Sequence, residues 1–382
     1  ISVGLPQWET GFITDGVLKG VFSVLSFLPQ ILVLFFCLSI LEESGYMARV
    51  SFIFDRIFRN VGLGGKSVIP LVLSCGCTVT GVMATRTIEN RNERFATIFL
   101  CPFMPCGAKT AVFAYFSSKL FGGNPFVAVM MYFIGISAVV IFGKALTKLK
   151  VFKGENAFIL EIPPLRLPTV SGVFNVLIDK TVEFIVKAGT VIFGVSVVLW
   201  LLGNFGTGGY LSGEIEKSFL FFFGNVLKYL FYPLGFGNWQ ASVSILSGVL
   251  AKEAVMESLS VLTADVGSIF FNKFSVVAFM TFVLLSPPCI AALTQIKREL
   301  KSTKAFLLML AFQTAAAYIC ALIINLGGLV FYSFPHLLSV IVFVIMVITV
   351  TIKISGKGCG GNCSACRKER RCRDRKNRNT TI

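Results

Sequence analysis

The chain has 382 residues, of which 55% are hydrophobic and 14% are charged, and its mean hydropathy is +0.80. Soluble domains carry about 25% charged residues, so this composition excludes a surface that is mainly aqueous. The formal net charge of +16 is large enough to suggest nucleic-acid binding. However, Lys and Arg gather at the edges of apolar segments and near the C-terminus, which indicates membrane orientation and no nucleic-acid partner.

Long apolar runs predict transmembrane helices. About 20 consecutive apolar residues span the core of a bilayer, and such runs occupy residues 20–41, 184–202, 305–326 and 337–352. The sequence starts at Ile1 with no basic segment before the first run, so we expect the natural protein to continue upstream. The runs predict an all-α polytopic membrane protein.

The stretch SVIPLVLSCGCTVTGVMA, residues 67–84, has basic residues on both flanks. By the positive-inside rule both flanks are cytoplasmic, so this stretch should enter and leave the membrane on the same face. Its Pro70, Gly76 and Gly81 fit a break in a helix. A re-entrant element is tolerated at membrane depth only where protein or a water-filled cavity covers its backbone.

The second half of the chain repeats this plan. It has one span at 184–202, an interrupted apolar stretch at 238–262, and then two more spans. Opposed halves with matching broken segments are typical of inverted-repeat transporters, whose site lies at the midplane where the breaks meet. The sequence therefore predicts two regions related as an inverted repeat, with broken or re-entrant helices.

Several sulfur atoms lie in the first broken stretch and in the span that follows it. Thiols and thioethers suit late first-row metals and not magnesium or calcium. The candidate metal ligands of this kind are Cys75, Cys77, Met83, Cys101, Met104 and Cys106. The alternative is plain packing, because unpaired cysteine is among the most buried residue types.

Ionisable residues within apolar segments form a second group of candidates. A charge costs roughly 2.5–3.5 kcal/mol there on insertion scales, so such residues are functional candidates by default. The candidate carboxylate ligands are Glu42 and Glu43, which end the first span, and Glu253 and Glu257, four positions apart in the second break. Two alternatives stay open: Glu42, Glu43 and Lys252 snorkel to the interface, or a glutamate pairs with Lys252 or Lys109.

The C-terminal tail carries the basic run RKERRCRDRKNR and four cysteines. The basic run places the tail in the cytoplasm. The cysteines are Cys359, Cys363, Cys366 and Cys372. Their spacing leaves two interpretations, a metal-gathering tail and a disordered basic tail whose thiols have no role.

Longer runs of the chain closely resemble the ferrous iron transport protein B family. The resemblance covers nearly all of residues 10–325, in order, and includes the runs CPFMPCGAK, VLAKEAV and LSPPCIAAL. Its most specific blocks are LEESGYMAR and GCTVTGVMATR. It implies a cytoplasmic G domain upstream of Ile1, which would bind GTP and Mg2+, and a location in the bacterial cytoplasmic (inner) membrane.

We expect six segments, of which the resemblance implies the two gate regions and the linker between them, while the apolar and basic runs indicate the last span and the tail. They are an N-terminal lead-in (1–31), a first gate region (32–147), a cytoplasmic linker (148–189), a second gate region (190–326), a last transmembrane helix (327–353) and the Cys-rich tail (354–382).

The resemblance further implies that Cys77, Cys106 and Glu253 contact iron, because they match the motif positions at which the family is thought to do so. The chain departs from the family at two places. The family motif GCNVP is GCTVT here, without its Asn and Pro, and Lys109 replaces an arginine. An Arg fork and a Lys point charge are not equivalent, so we expect a first break with its own geometry.

The expected function is that of a ferrous iron transmembrane transporter, whose permease part imports Fe2+ as its substrate. Hydrolysis of GTP is expected only in the absent domain, so this chain is not an enzyme. The expected partners are membrane lipid, the G domain and small accessory proteins of the same system, and a homo-oligomer is left open. The alternatives are a membrane scaffold or sensor that acts through the Cys-rich tail, and a gate-fold permease for another metal or for nucleosides.

Overall fold

The computed structural model describes residues 7–59, 62–148, 169–186, 190–206, 209–210, 218–249, 251–263 and 266–331. The last span predicted at 337–352 and the four tail cysteines lie outside these residues. The side chain of Glu42 also lies outside the described part.

The described residues of the first half form eight α-helices and a π-helical segment, Phe12–Leu18. The helices are α1 (Gln7–Gly11), α2 (Lys19–Glu43), α3 (Tyr46–Arg59), α4 (Val68–Gly76), α5 (Thr78–Ala84), α6 (Arg91–Leu100), α7 (Gly107–Leu120) and α8 (Phe126–Lys148). Short 3-10 turns lie before α4 (Gly65–Ser67), after α5 (Thr85–Thr87) and between α6 and α7 (Cys101–Phe103).

The described residues of the second half form eight more α-helices. They are α9 (Val170–Phe184), α10 (Thr190–Asn204), α11 (Phe219–Phe231), α12 (Trp239–Ser247), α13 (Ala254–Leu262), α14 (Lys273–Leu285), α15 (Ile290–Leu300) and α16 (Thr303–Phe331). The 3-10 turns here are Tyr232–Leu234 and Val266–Ile269. Within the described ranges, the only strands are a two-residue antiparallel pair, β1 (Phe205–Gly206) and β2 (Gly209–Tyr210).

Three helical stretches are long and apolar enough to cross a membrane: Arg91–Leu120, Phe126–Thr147 and Thr303–Gly328. The bent pairs α11–α12 and α14–α15 raise the number of candidate spans in the described residues to 5 if each pair is one span. The all-α polytopic class is confirmed. The run predicted at 305–326 lies within α16, whereas α8 was not among the predicted runs.

Helices α4 and α5 form a tight hairpin at Cys77. Cys77 has an extended backbone, with φ −149° and ψ 128°. A Cβ atom on Gly81 would lie 2.6 Å from the carbonyl oxygen of Pro70, although a continuous helix would separate these two positions by about 16 Å. The chain therefore turns back on itself, which confirms the broken helix predicted at 67–84; its entry and exit on one face of the membrane stay a prediction.

The second predicted break is also present. The stretch 238–262 contains α12 and α13, and a Cβ atom on Gly248 would collide with the side chain of Val255 on α13. The preceding helix α11 meets α12 at an angle of 102°. The second half thus has its own folded-back helix pair.

Two further helices are interrupted without folding back. Between α6 and α7, Met104 and Cys106 are extended, with ψ values of 136° and 168°. Between α14 and α15, Ser286 and Cys289 are extended, with ψ values of 160° and 158°, and the two helices are bent by 41°. Prolines lie in both interruptions, and a proline has no N–H to continue a helix. The sequence predicted the first interruption but not the second.

The order of elements is the same in both halves. Each half has an apolar helix (α2, α10), a second helix (α3, α11), a broken pair (α4–α5, α12–α13), an interrupted helix (α6–α7, α14–α15) and a closing span (α8, α16). Across the halves, α5 packs on α15 and α13 packs on α7. Because α5 is equivalent to α13 and α15 is equivalent to α7, the two contacts are the same contact seen from each half. A self-complementary two-fold interface has this property. The opposed direction of the halves in the membrane stays a prediction.

Replacing Gly81 by alanine should destabilise the first hairpin. The new Cβ would meet the Pro70 carbonyl oxygen and the Ser74 Oγ, and overpacking of this kind costs about 1–3 kcal/mol. We expect a lower thermal unfolding midpoint of the purified protein in detergent. The matched control is Gly194→Ala in α10, where nothing lies within 4 Å of the added atom. Equal midpoints for the two variants would contradict this packing.

Candidate functional site

At each of the four breaks, the residue that caps the following helix carries a thiol or a carboxylate. Cys77 caps the N-terminus of α5, Cys106 that of α7, Glu253 that of α13 and Cys289 that of α15. None of the four side chains makes a capping hydrogen bond to its own helix. Their sulfur and oxygen atoms are therefore not used for capping.

These groups come together from both halves of the chain. Cys289 interacts electrostatically with Cys106 of the first half and with Glu253 of the second. Cys77 interacts with both Cys289 and Cys106. Cys77 and Cys289 also pack against the same buried apolar cluster, which includes Phe35. The four breaks thus meet in one region.

Two hydrogen bonds join the two breaks of the second half. The backbone N–H of Ile290 donates to the carbonyl oxygen of Val249 over 2.8 Å. The ammonium group of Lys252 donates to the Ser286 hydroxyl, also over 2.8 Å. Because unpaired backbone groups are costly at membrane depth, the bond between Ile290 and Val249 stabilises both interruptions at once.

Lys109 and Lys252 are both buried beside the thiols, with exposed fractions of 0% and 5%. Both interact electrostatically with Cys106 and Cys289. Lys109 Nζ lies 2.6 Å from the Pro102 carbonyl oxygen and 3.4 Å from that of Met104. It therefore donates to the carbonyl groups that the break between α6 and α7 leaves without a helical partner.

These positions correct two alternatives of the sequence analysis. Lys252 does not snorkel to the interface, because its side chain is buried and bonded to Ser286. Within the described residues, neither Lys109 nor Lys252 forms an ion pair with a glutamate. The physical reason is that the breaks offer neutral oxygen acceptors closer than any carboxylate.

The other sulfur candidates lie around the first-half thiols. Cys75, in the last turn of α4, interacts electrostatically with Cys106 and Cys101. Met83 packs against the same apolar cluster as Cys77. Cys101 and Met104 are buried in and beside the 3-10 turn before Cys106, a placement that suits the packing alternative.

The candidate carboxylate ligands lie in different parts of the structure. Glu253 interacts with Glu257, whose backbone N–H donates to the Glu253 carbonyl, and Glu257 is exposed. Glu43 accepts a hydrogen bond of 2.6 Å from the Thr169 hydroxyl, while its Oε2 is buried without a partner among the described residues. Glu43 therefore contacts the start of α9, and Glu253 is the carboxylate that the structure brings to the thiols.

In the part of the chain that the structure describes, no three His, Cys, Asp or Glu side chains converge closely enough to hold a metal ion. The thiols and Glu253 are neighbours without forming a closed cage. Conduction needs binding that is favourable enough to admit an ion and weak enough to release it. The arrangement can present sulfur and oxygen to a cation that moves past.

Cys289 was not among the ligands predicted from the sequence. The signal lay in the run Ser286-Pro287-Pro288-Cys289, in which a proline directly precedes the cysteine that starts a helix. Pro105 and Cys106 form the same pair at the equivalent break of the first half. A comparison of the two repeats at this level would have found Cys289.

Two repeats of broken helices, with thiols and a carboxylate where the breaks meet, define a polytopic membrane protein of the gate type. The chain matches the Gate model, described as "Nucleoside recognition", over residues 24–120 and 185–303. It matches the model of the ferrous iron transport protein B C terminus over residues 128–180. The chain belongs to the Gate family and, within it, to the ferrous iron transport protein B family, whose membrane part it matches.

Similar proteins carry the same description. The Fe(2+) transporter FeoB of Staphylococcus aureus (strain COL) is 41% identical over 344 residues, which are 88% of this chain and 50% of the relative. The Fe(2+) transporter FeoB of Methanocaldococcus jannaschii is 38% identical over 343 residues, which are 85% of this chain and 51% of the relative. An Fe(2+) transport protein A/Fe(2+) transporter FeoB fusion protein of Porphyromonas gingivalis (strain ATCC BAA-308 / W83) is 32% identical over 377 residues. The match covers 84% of this chain and 44% of the relative.

The chain therefore spans about half the length of the curated relatives it matches. No solved structure matches the chain.

Replacing Ser286 by alanine should destabilise the junction of the second-half breaks. The substitution removes the acceptor of the buried Lys252 ammonium, and an unsatisfied buried group costs about 1–3 kcal/mol, more when it is charged. We expect a lower thermal unfolding midpoint in detergent. Ser260→Ala, the same change at an exposed helix position, should leave the midpoint nearly unchanged. A Ser286→Ala variant as stable as this control would show that the bond does not hold the breaks.

Proposed function

We propose that this chain is the permease part of a ferrous iron importer. One observation carries the proposal: the helix after each of four breaks is capped by a cysteine or a glutamate, and the breaks of both halves meet. The names of the relatives support iron as the substrate. Any nucleotide hydrolysis would belong to a part of the protein beyond this chain.

The chemistry of the lining groups suits Fe2+. Ferrous iron is a borderline cation that accepts thiol, imidazole and carboxylate ligands, whereas Mg2+ and Ca2+ prefer oxygen alone. Cys77, Cys106 and Cys289 supply sulfur, and Glu253 supplies an anionic oxygen. The ion would exchange part of its hydration for these groups in turn, with Cys75, Met83 and Glu257 beside the path. Cys101, Met104, Glu42 and Glu43 would contribute less directly or not at all.

The direction of transport and the partners belong to the same proposal. Basic residues at the flanks of the first hairpin and in the tail favour a cytoplasmic position for both, and the proposed direction of Fe2+ movement is inward across the bacterial cytoplasmic membrane, as for the iron importer proposed above. The gate regions would comprise residues 32–147 and 190–326. A G domain with bound GTP and Mg2+ would bias the gates between states. The Porphyromonas gingivalis fusion supports a small accessory protein as a partner.

Uptake of Fe2+ tests the proposal. The full protein that contains this chain would be expressed in cells without other ferrous iron uptake, and the initial uptake rate would be measured under reducing conditions. Cys106→Ser, Cys289→Ser and Glu253→Gln should each lower the rate about tenfold or more, by analogy with the loss seen when groups at metal sites are removed. The hydroxyl and the amide keep the size of the side chain but are poorer ligands.

The matched control is Cys320→Ser in α16, which lies in no break and should keep the parental rate. If uptake is unchanged in all three site variants, the proposal that iron passes through the breaks is wrong. A protein that lacks residues 356–382 should still transport, whereas a scaffold that acts through its tail would lose its activity. Uptake of a labelled nucleoside in place of Fe2+ would favour the other gate-fold alternative.

A further inference from the structure

A buried ionic cluster joins the two halves away from the thiols. Glu299, whose side chain is 5% exposed, lies in the last turn of α15. Its Oε1 accepts from both Nε and Nη2 of Arg86, each at 2.7 Å, and from Gln295 Nε2 at 2.9 Å. Its Oε2 contacts Nη2 of Arg94. A buried carboxylate thus has three donor side chains, two of them cationic and from the other half.

This cluster lies at the far ends of the two helices whose starts form the candidate site. Helix α5 starts after Cys77 and is followed by the turn that carries Arg86, while α15 starts after Cys289 and ends near Glu299. The helices pack on each other. They therefore run side by side in the same direction, with the two cysteines at one end and the ion pair about 14 Å further on.

An arginine fork is well suited to fix the register between two helices. Its planar guanidinium binds a carboxylate through fixed directions, so it defines position as well as energy. The arginine side chains are 50% and 26% exposed, whereas the Glu299 side chain is 5% exposed. A buried carboxylate is held by its arginine partners, and removal of a partner is strongly destabilising because it leaves a buried charge without compensation.

At the equivalent junction of the other repeat, between α13 and α7, the described residues form no ion pair of this kind. Phe116 of α7 stands at the position that corresponds to Glu299 of α15, nine residues after the helix starts. Its ring packs at 5.8 Å from Phe270 and 5.5 Å from Phe279. Aromatic packing tolerates small shifts better than directed hydrogen bonds between arginine and carboxylate do. Among the residues that the structure describes, an ion pair joins the turn after α5 to α15 at this position, whereas an aromatic side chain stands there in α7.

We propose that Glu299, held by Arg86 and Arg94, is a positioning residue that sets the separation of the Cys77 and Cys289 thiols across the two halves. The inference rests on the proposed function for its role in iron passage, but the separation of the thiols can be measured without transport. The ion pair acts through the rigid helices α5 and α15, and it contacts no substrate itself.

The test compares Glu299→Gln with Lys297→Gln in the full protein. Both changes replace one charged side chain by glutamine in the last turns of α15, and Lys297 is exposed. The first readout is the yield of the Cys77–Cys289 link formed by dibromobimane, a short bifunctional thiol reagent, measured by mass spectrometry of the linked peptides. The second is the dependence of the initial Fe2+ uptake rate on Fe2+ concentration.

We expect Glu299→Gln to change the linking yield and to raise the half-saturating Fe2+ concentration by a factor of about two to thirty, the range found for residues that couple distant sites. The maximal rate should fall less, because the ligands themselves are intact. Arg86→Lys keeps the charge but loses the fork, so it should shift both readouts in the same direction by a smaller factor. If the Glu299→Gln protein does not accumulate in cells, Arg86→Lys provides the test in its place.

Lys297→Gln should match the parent in both readouts. Parental linking and half-saturation in both Glu299→Gln and Arg86→Lys would overturn the positioning role. Linking that still depends on Glu299 in a protein that takes up no iron would support the positioning role and overturn the proposed function.

Discussion

Backbone groups freed by a helix break need partners within the protein, because the hydrocarbon core of the membrane supplies none. This constraint explains the most unusual residues of the structure. Lys109 is buried because its ammonium satisfies two carbonyl groups of the break between α6 and α7. Ile290 and Val249 satisfy each other across two breaks. The breaks are therefore stabilised by one another and not only by their own turns.

The same constraint brings functional groups together. A break is acceptable where other protein covers it, and in this chain the folded-back pair of each half packs on the interrupted helix of the other half. Each break is followed by a helix that starts at a cysteine or a glutamate. Four such starts in one region concentrate sulfur and carboxylate where the backbone is already irregular.

Local sequence signals predicted a large part of the fold. Pro70, Gly76 and Gly81 indicated the first hairpin, and the apolar stretch at 238–262 indicated the second broken pair. The interruption at Ser286 was not predicted, although Pro287 and Pro288 announce it, because the apolar residues continue on both sides. The basic flanks predict a cytoplasmic side for the first hairpin, which stays a prediction, and they say nothing about which segment a buried lysine will approach.

The site was predicted in part for the same reason. Cys77, Cys106 and Glu253 stand beside Gly, Pro or a break signal, so the sequence alone marks them. Whether Cys289 joins them, or whether Glu43 stays apart, depends on contacts between residues more than 100 positions apart, such as that of Glu43 with Thr169. The burial of Lys252 likewise depends on a contact outside its own segment, with Ser286, 34 positions away. Pairings of this kind are set by tertiary packing and not by local pattern.

The central claim is that cysteines from both halves line one path for a cation. The most direct measurement is the rate at which N-ethylmaleimide alkylates individual cysteines of the full protein, under anaerobic and reducing conditions, as Fe2+ is increased. The account predicts that Cys106 and Cys289 become protected with the same dependence on Fe2+ concentration, while Cys320 reacts at a constant rate. Protection of Cys106 with no change at Cys289 would contradict a shared path.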